Sequence, residues 1–179
     1  MEITGLDVHT PTNEAVRNNI DDWIRRLNEK ENLDISFKID QSSITDPLLH
    51  YTDGYFDTIV FCFTLCSVHD PTLALGTIKR LLRPNGGTIA YLEHVAVNEN
   101  DTQHQFLALE QQLLDPVQQI LADHCHLHRD TETTMDMVLA DPHPTAPLQK
   151  YDTLYRERFY IDQMWPVSCQ ACGVIQSSV

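Results

Sequence analysis

Residues Asp53 to Val95 read DGYFDTIVFCFTLCSVHDPTLALGTIKRLLRPNGGTIAYLEHV, and their order sets the architecture. Thr58 to Leu65 is almost unbroken apolar sequence, the pattern of a strand covered on both faces near the centre of a parallel sheet. Pro71 to Leu82 then places Leu73, Leu75, Ile78, Leu81 and Leu82 at helical spacing. Asp53-Gly54 is a tight turn feeding the strand. Arg83-Pro84-Asn85-Gly86-Gly87 stops the helix and turns the chain. Thr88 to Val95 follows as a second buried strand. A strand, a helix and a strand in succession predict a right-handed crossover between parallel neighbours.

The flanks extend the same alternation. Upstream, Glu2 to Val8 and Asp34 to Asp40 read as strands, with an amphipathic helix over Asn13 to Glu29 between them. The helix carries Ala15, Val16, Ile20, Trp23, Ile24 and Leu27 near helical spacing, and Thr12 or Asn13 suits its N-cap. The gap from Asp40 to Thr58 leaves little room for a further helix, so that crossover is expected to be irregular. Downstream, Phe106 to Ala122 is a long helix whose internal Pro116 predicts a kink or a new start. Asn98 to His104 and Asp141 to Pro147 (DPHPTAP) read as loops. Leu154 to Ile161 and Ser168 to Gln176 are two weaker strands, expected as an antiparallel hairpin at one edge. The predicted fold is α/β: a Rossmann-like, mostly parallel sheet with helices on both faces and a C-terminal hairpin, all in one domain over residues 1–179.

Composition narrows the function. Twelve Lys and Arg stand against 26 Asp and Glu, a net charge of −14 over 179 residues. Gripping phosphate backbones or anionic lipid needs clustered cations, so neither nucleic acid nor a membrane surface is an expected partner. No apolar run reaches the roughly 18–20 residues that span a bilayer, and the start, MEITGLDVHT, lacks a signal-peptide pattern. Five cysteines, two of them (Cys62 and Cys66) in an apolar stretch, suit reduced thiols and a cytoplasmic setting.

The segment from Asp53 to Val95 resembles the second half of a class I S-adenosylmethionine-dependent methyltransferase of the type 11 kind. The resemblance rests on an acidic-Gly turn, Phe56-Asp57, an apolar strand, a helix ending in Leu82-Arg83-Pro84-Asn85-Gly86-Gly87, and a further strand. Narrower features are Leu65-Cys66-Ser67-Val68, Leu92-Glu93-His94-Val95, Gln111-Gln112-Leu113-Leu114-Asp115-Pro116 and Cys125-His126-Leu127-His128-Arg129-Asp130-Thr131. These resemble the methyltransferase-like 7 group, relatives of alkyl-thiol S-methyltransferases. Ile3-Thr4-Gly5-Leu6-Asp7 resembles the second strand of the family sheet.

The resemblance implies a cofactor site and a small-molecule substrate, a thiol among the candidates. Asp7 would bind the ribose, since a carboxylate offers two acceptors to a vicinal diol. Asp46, or Thr45 beside it, would meet the adenine amino group. Phe63 and Thr64 would flank the methionine portion, with core packing the alternative for Phe63. Glu93 and His94 end the next strand on the same sheet edge. His94 suits a general base, but a structural histidine hydrogen-bonded within the strand end is the favoured reading. The family's first strand and Gly-rich loop would lie before Met1, so the expectation is an N-terminally truncated domain with S-adenosylmethionine binding weakened or lost. Its first-strand neighbour gone, the sheet is expected to self-associate, substitute a strand or be marginally stable. The alternative function is a non-catalytic truncated module that binds a protein partner.

His124-Cys125-His126-Leu127-His128 with Cys169-x-x-Cys172 raises a zinc reading. Cysteines three apart in a strand point to opposite faces, and one C-x-x-C without a helix after it is a poor redox motif. No metal is expected from these spacings.

Overall fold

The computed structural model describes residues 1–8, 14–47, 49–142 and 149–178. The Thr12 or Asn13 cap and most of the Asp141–Pro147 loop lie outside the described residues. The chain forms two compact units, Met1–His50 and Tyr51–Val179.

The first unit is a strand, a helix and a strand: β1 (Glu2–Asp7), α1 (Glu14–Glu31) and β2 (Ser36–Gln41). The strands pair in parallel, Glu2 opposite Ser36 through Asp7 opposite Gln41. Asn28, near the end of α1, fixes the entry to β2. Its amide donates to the Ile35 carbonyl at 2.9 Å and its carbonyl accepts the Ile35 N–H at 2.8 Å. Ile24 and Ile35 are buried, whereas Trp23, expected on the apolar face, is largely exposed.

The second unit contains β3 (Thr58–Cys62), α2 (Pro71–Leu81), β4 (Thr88–His94), α3 (Gln105–Leu121), α4 (Thr131–Ala140), β5 (Lys150–Tyr160) and β6 (Cys169–Ser178). The sheet order is β3-β4-β6-β5, with β3 and β4 parallel and the other two pairs antiparallel. The parallel pairs, the helices and the C-terminal hairpin make the mixed α/β architecture expected from the sequence. Among the described residues β1 pairs only with β2, and β3 only with β4.

Local chemistry explains the boundaries. Asp70 caps α2 by accepting the Leu73 N–H at 2.9 Å, and Pro71 takes the first helical position, where no N–H is needed. After α2, Gly86 has φ +94, and a Cβ on Gly87 would lie 2.3 Å from the Arg83 carbonyl oxygen. The turn therefore requires glycine at both places. It is tied to β6 by the Gly86 N–H on the Ser177 carbonyl at 2.7 Å.

Three expectations are corrected. Strand β3 stops at Cys62 instead of Leu65, because Phe63 takes φ +50 and the following N–H groups turn to a side chain. It is not covered on both faces either: Val60 is 65% exposed. Helix α3 runs through Pro116 as one helix, so of the two expectations there, a kink or a new start, the new start does not occur. Helix α4 adds an element that the sequence reading left out. Asp130 caps it, accepting the Thr133 N–H at 3.2 Å, and Thr131, Met135 and Leu139 bury one face at a spacing of four.

Candidate functional site

In open α/β sheets ligands collect at the carboxyl ends of parallel strands. Both units have such an end. In the first, Asp7 closes β1 as an exposed residue opposite Gln41, whose side-chain amide donates to the Val8 carbonyl at 3.3 Å. The turn after β2 holds Asp46, half-buried, with its N–H on the Ser43 carbonyl at 3.0 Å. Thr45 lies in the same turn, its hydroxyl 2.8 Å from Ser43 Oγ. The ribose and adenine candidates thus share the carboxyl end of one parallel pair.

In the second unit the carboxyl ends of β3 and β4 gather Phe63, Thr64, Glu93 and His94. Phe63 is held by its N–H on the Leu92 carbonyl at 2.8 Å, is 41% exposed, and adopts a positive φ that a bulky side chain rarely takes. Glu93 is fully buried. Its carboxylate accepts the N–H groups of Thr64 at 2.7 Å, Leu65 at 3.1 Å and Cys66 at 3.2 Å. Burial pushes its carboxyl above the usual range, and those three N–H groups pull it back only in part. Arg129 completes the clamp from the other side. One guanidinium nitrogen donates to the carbonyls of Leu65 at 2.6 Å, Val68 at 2.8 Å and Cys66 at 3.2 Å. A carboxylate takes the N–H groups of the loop and a guanidinium takes its C=O groups, so little of that backbone is left to sample other conformations.

His94 faces inward. It is 1% exposed, its Nε2 lies 2.9 Å from the His126 carbonyl oxygen, and its Nδ1 lies 3.6 Å from Cys125 Sγ. Cys125 Sγ lies in turn 3.9 Å from Cys66 Sγ. These three side chains are the one group of metal-ligand type found among the described residues, with ligand atoms all within 4.8 Å of one another. The Cys66 thiol is pushed far up by its hydrogen bond to Cys125 and by burial. The Cys125 thiol is held well below its ordinary value by Cys66, with His94 adding to the effect and burial opposing it.

The sequence reading placed Cys125 among neighbouring histidines and the Cys169–Cys172 pair. In the structure Cys169 lies apart, 3.8 Å from the Ala96 carbonyl oxygen, and Cys172 is half-buried further along β6. The true partners of Cys125 are 59 and 31 residues away in sequence. Their signal was positional: Cys66 and His94 follow the carboxyl ends of adjacent parallel strands.

Residues 1–90, half of the chain, match the family described as a methyltransferase domain. The chain belongs to this methyltransferase family. The match runs from β1 into β4 and so includes Asp7, Asp46, Phe63 and Thr64, but stops short of Glu93 and His94. Among curated relatives, human thiol S-methyltransferase TMT1A is 37% identical over 100 residues, which is 54% of this chain and 39% of TMT1A. Human TMT1B is 35% identical over 79 residues, 44% of this chain and 30% of TMT1B. The matched stretch thus spans well under half the length of either relative.

Solved structures place the methyltransferase fold over nearly the whole chain. An S-adenosylmethionine-dependent methyltransferase from Methanosarcina mazei superposes at a TM-score of 0.56, with 16% identity, covering 98% of this chain and 81% of that one. The [4+2]-cyclase SpnF superposes at 0.54, with 11% identity, covering 98% and 73%. A methyltransferase and a cyclase on one fold show why the chemistry of this family member must be argued from its residues. No helix among the described residues is long and apolar enough to cross a membrane.

Proposed function

We propose that this chain carries the ribose, adenine and strand-end portions of an S-adenosylmethionine-dependent methyltransferase that acts on a small thiol. The observation that carries the reading is Asp7, an exposed carboxylate closing a parallel strand inside the family match. A carboxylate there fits the cofactor: its two oxygens can accept both hydroxyls of a vicinal diol. Asp46, with Thr45 beside it, supplies the adenine contact, and Phe63 and Thr64 border the methionine portion.

When bound, the cofactor supplies an electrophilic methyl group on a sulfonium sulfur. The chain's own part is alignment and exclusion of water around an incoming thiolate. No general base is named. The Glu93 carboxylate is committed to three N–H groups, and His94 faces a buried thiol.

On this reading the chain binds S-adenosylhomocysteine, and Asp7→Ala should weaken that binding at least tenfold, a loss of about 1.4 kcal/mol, together with any transfer to a small thiol. Calorimetric titration of both proteins is the test. Micromolar affinity unchanged by Asp7→Ala means the site is elsewhere.

The second reading is a non-catalytic module that pairs through an open sheet edge, with self-association as its simplest form. Its observation is β3, which among the described residues pairs only with β4 and leaves Val60 exposed. A silent titration together with a dimer in light scattering favours it over the enzyme.

A further inference from the structure

We propose that Cys66, His94 and Cys125 form a binding site for one zinc ion, at the carboxyl ends of β3 and β4. This goes beyond the methyltransferase reading and sets aside the expectation of no metal, which rested on local spacings.

Geometry comes first. Zinc binds thiolate sulfur at about 2.3 Å and imidazole nitrogen at about 2.0–2.1 Å, so tetrahedral angles put two sulfurs about 3.8 Å apart and a sulfur and a nitrogen about 3.6 Å apart. The Cys66 and Cys125 sulfurs are 3.9 Å apart, and Cys125 Sγ is 3.6 Å from His94 Nδ1. These two separations match those of a loaded site, and all three ligand atoms lie within 4.8 Å of one another.

The surroundings match as well. A ligating histidine normally gives its other ring N–H to a carbonyl or carboxylate, which fixes both tautomer and ring. His94 Nε2 lies 2.9 Å from the His126 carbonyl oxygen, which leaves Nδ1 as the ring nitrogen available to a metal, 3.6 Å from Cys125 Sγ. Cys66 sits in the loop that Glu93 and Arg129 hold from both sides, and its carbonyl also accepts the His126 N–H at 2.9 Å. Binding then needs only small side-chain adjustments on a backbone that is already held.

Charge favours the same occupant. Two thiolates and a neutral imidazole around a dication sum to zero, which suits residues only 1%, 1% and 8% exposed. Two sulfurs and one nitrogen form a borderline-soft set that prefers zinc to magnesium or calcium. Three protein ligands leave the fourth position to water or another small donor.

The test uses the full 179-residue chain, purified under reducing conditions and dialysed against zinc. One zinc per chain by elemental mass spectrometry is expected. Cobalt substitution should give thiolate charge-transfer bands together with the visible bands of a four-coordinate site. Cys66→Ser and Cys125→Ser should each weaken zinc binding at least a hundredfold in a chelator competition, while Cys62→Ser and Cys172→Ser leave it unchanged.

A second readout needs no variant. In mild urea, which opens the buried thiols to reagent, added zinc should slow alkylation of Cys66 and Cys125, but not of Cys62, relative to the same protein with a chelator, as mapped by peptide mass spectrometry. Three results would each overturn the proposal: no zinc taken up by folded protein with all thiols reduced, zinc retained by the Cys66→Ser/Cys125→Ser double variant, or a Cys66–Cys125 disulfide in the protein as isolated.

Discussion

The carboxyl end of the β1–β2 pair and that of the β3–β4 pair occupy equivalent places in their sheets, yet they are built in opposite ways. At the first, Asp7 is exposed and Asp46 sits in a short polar turn. At the second, Glu93, His94, Cys66 and Cys125 are buried; Glu93 accepts the Cys66 N–H, and His94 and the Cys66 carbonyl each hold the His126 backbone next to Cys125. One end carries its acids at or near the surface. The other uses its acid, its arginine and its histidine to hold backbone. The same residue type at the same place in a fold is thus left near the surface or spent on holding backbone according to what surrounds it.

The largest expected effect separates these roles. Glu93→Ala strands the buried N–H groups of Thr64, Leu65 and Cys66 and leaves a cavity beneath the loop. Each orphaned buried donor costs about 1–3 kcal/mol, so a loss of about 3–5 kcal/mol in urea unfolding is expected, a large share of a domain's stability. Asp7→Ala, at an exposed strand end, should cost about 1 kcal/mol or less. If Asp7→Ala destabilises as much as Glu93→Ala, the contrast between the two ends fails.

Two glycines test whether the contrast extends into the sheets. A Cβ on Gly173 in β6 would lie 2.7 Å from the Tyr91 ring and 2.8 Å from the Tyr155 carbonyl oxygen, with backbone on one side. Gly173→Ala is expected to cost about 1–3 kcal/mol by overpacking. On Gly5 in β1 the nearest atom is the Phe37 ring edge at 3.3 Å, a side chain that can move. Gly5→Ala should be close to neutral. Equal midpoints for both variants in urea would show that the first sheet is as tightly packed as the second.

The sequence exposed the parts of this fold that depend on periodicity. The apolar run at Thr58, the leucine spacing of α2 and the Pro-Gly-Gly turn each announce an element, and all three are present. Helix α4 was hidden because Thr131, Thr133 and Thr134 are weak helix formers and its apolar residues fall in one short burst. Its cap, Asp130 with Thr133, was the available signal. The end of β3 was misjudged for a different reason: apolar sequence continues past Cys62, but the Glu93 carboxylate captures the next N–H groups. The acid that decides this lies 29 residues from Thr64. The cysteine–histidine group was hidden in the same way, since contacts between distant segments leave no spacing to read.

The smallest effect concerns Asp101, an acid between the two extremes, 22% exposed yet fully engaged. Its carboxylate accepts from the Tyr160 hydroxyl, from His104 Nδ1 at 2.9 Å and from the N–H groups of Gln103 and His104. The Tyr160 hydrogen bond, followed by that of His104, holds its carboxyl down at about 2, against an ordinary value of 3.8. A carboxyl with a lowered value in the folded state binds its proton more readily when unfolded. Its contribution to stability is therefore complete above pH 3.8 and disappears as the pH falls toward 2. Asp101→Asn keeps the shape and loses the charge. Scanning calorimetry should show the variant melting below the parent at neutral pH. The two midpoints should approach each other as the pH falls through that window, because only the parent has this term to lose. A gap that stays constant down to pH 2 would mean that Asp101 stabilises the loop by shape alone and belongs with the buried end rather than between the two.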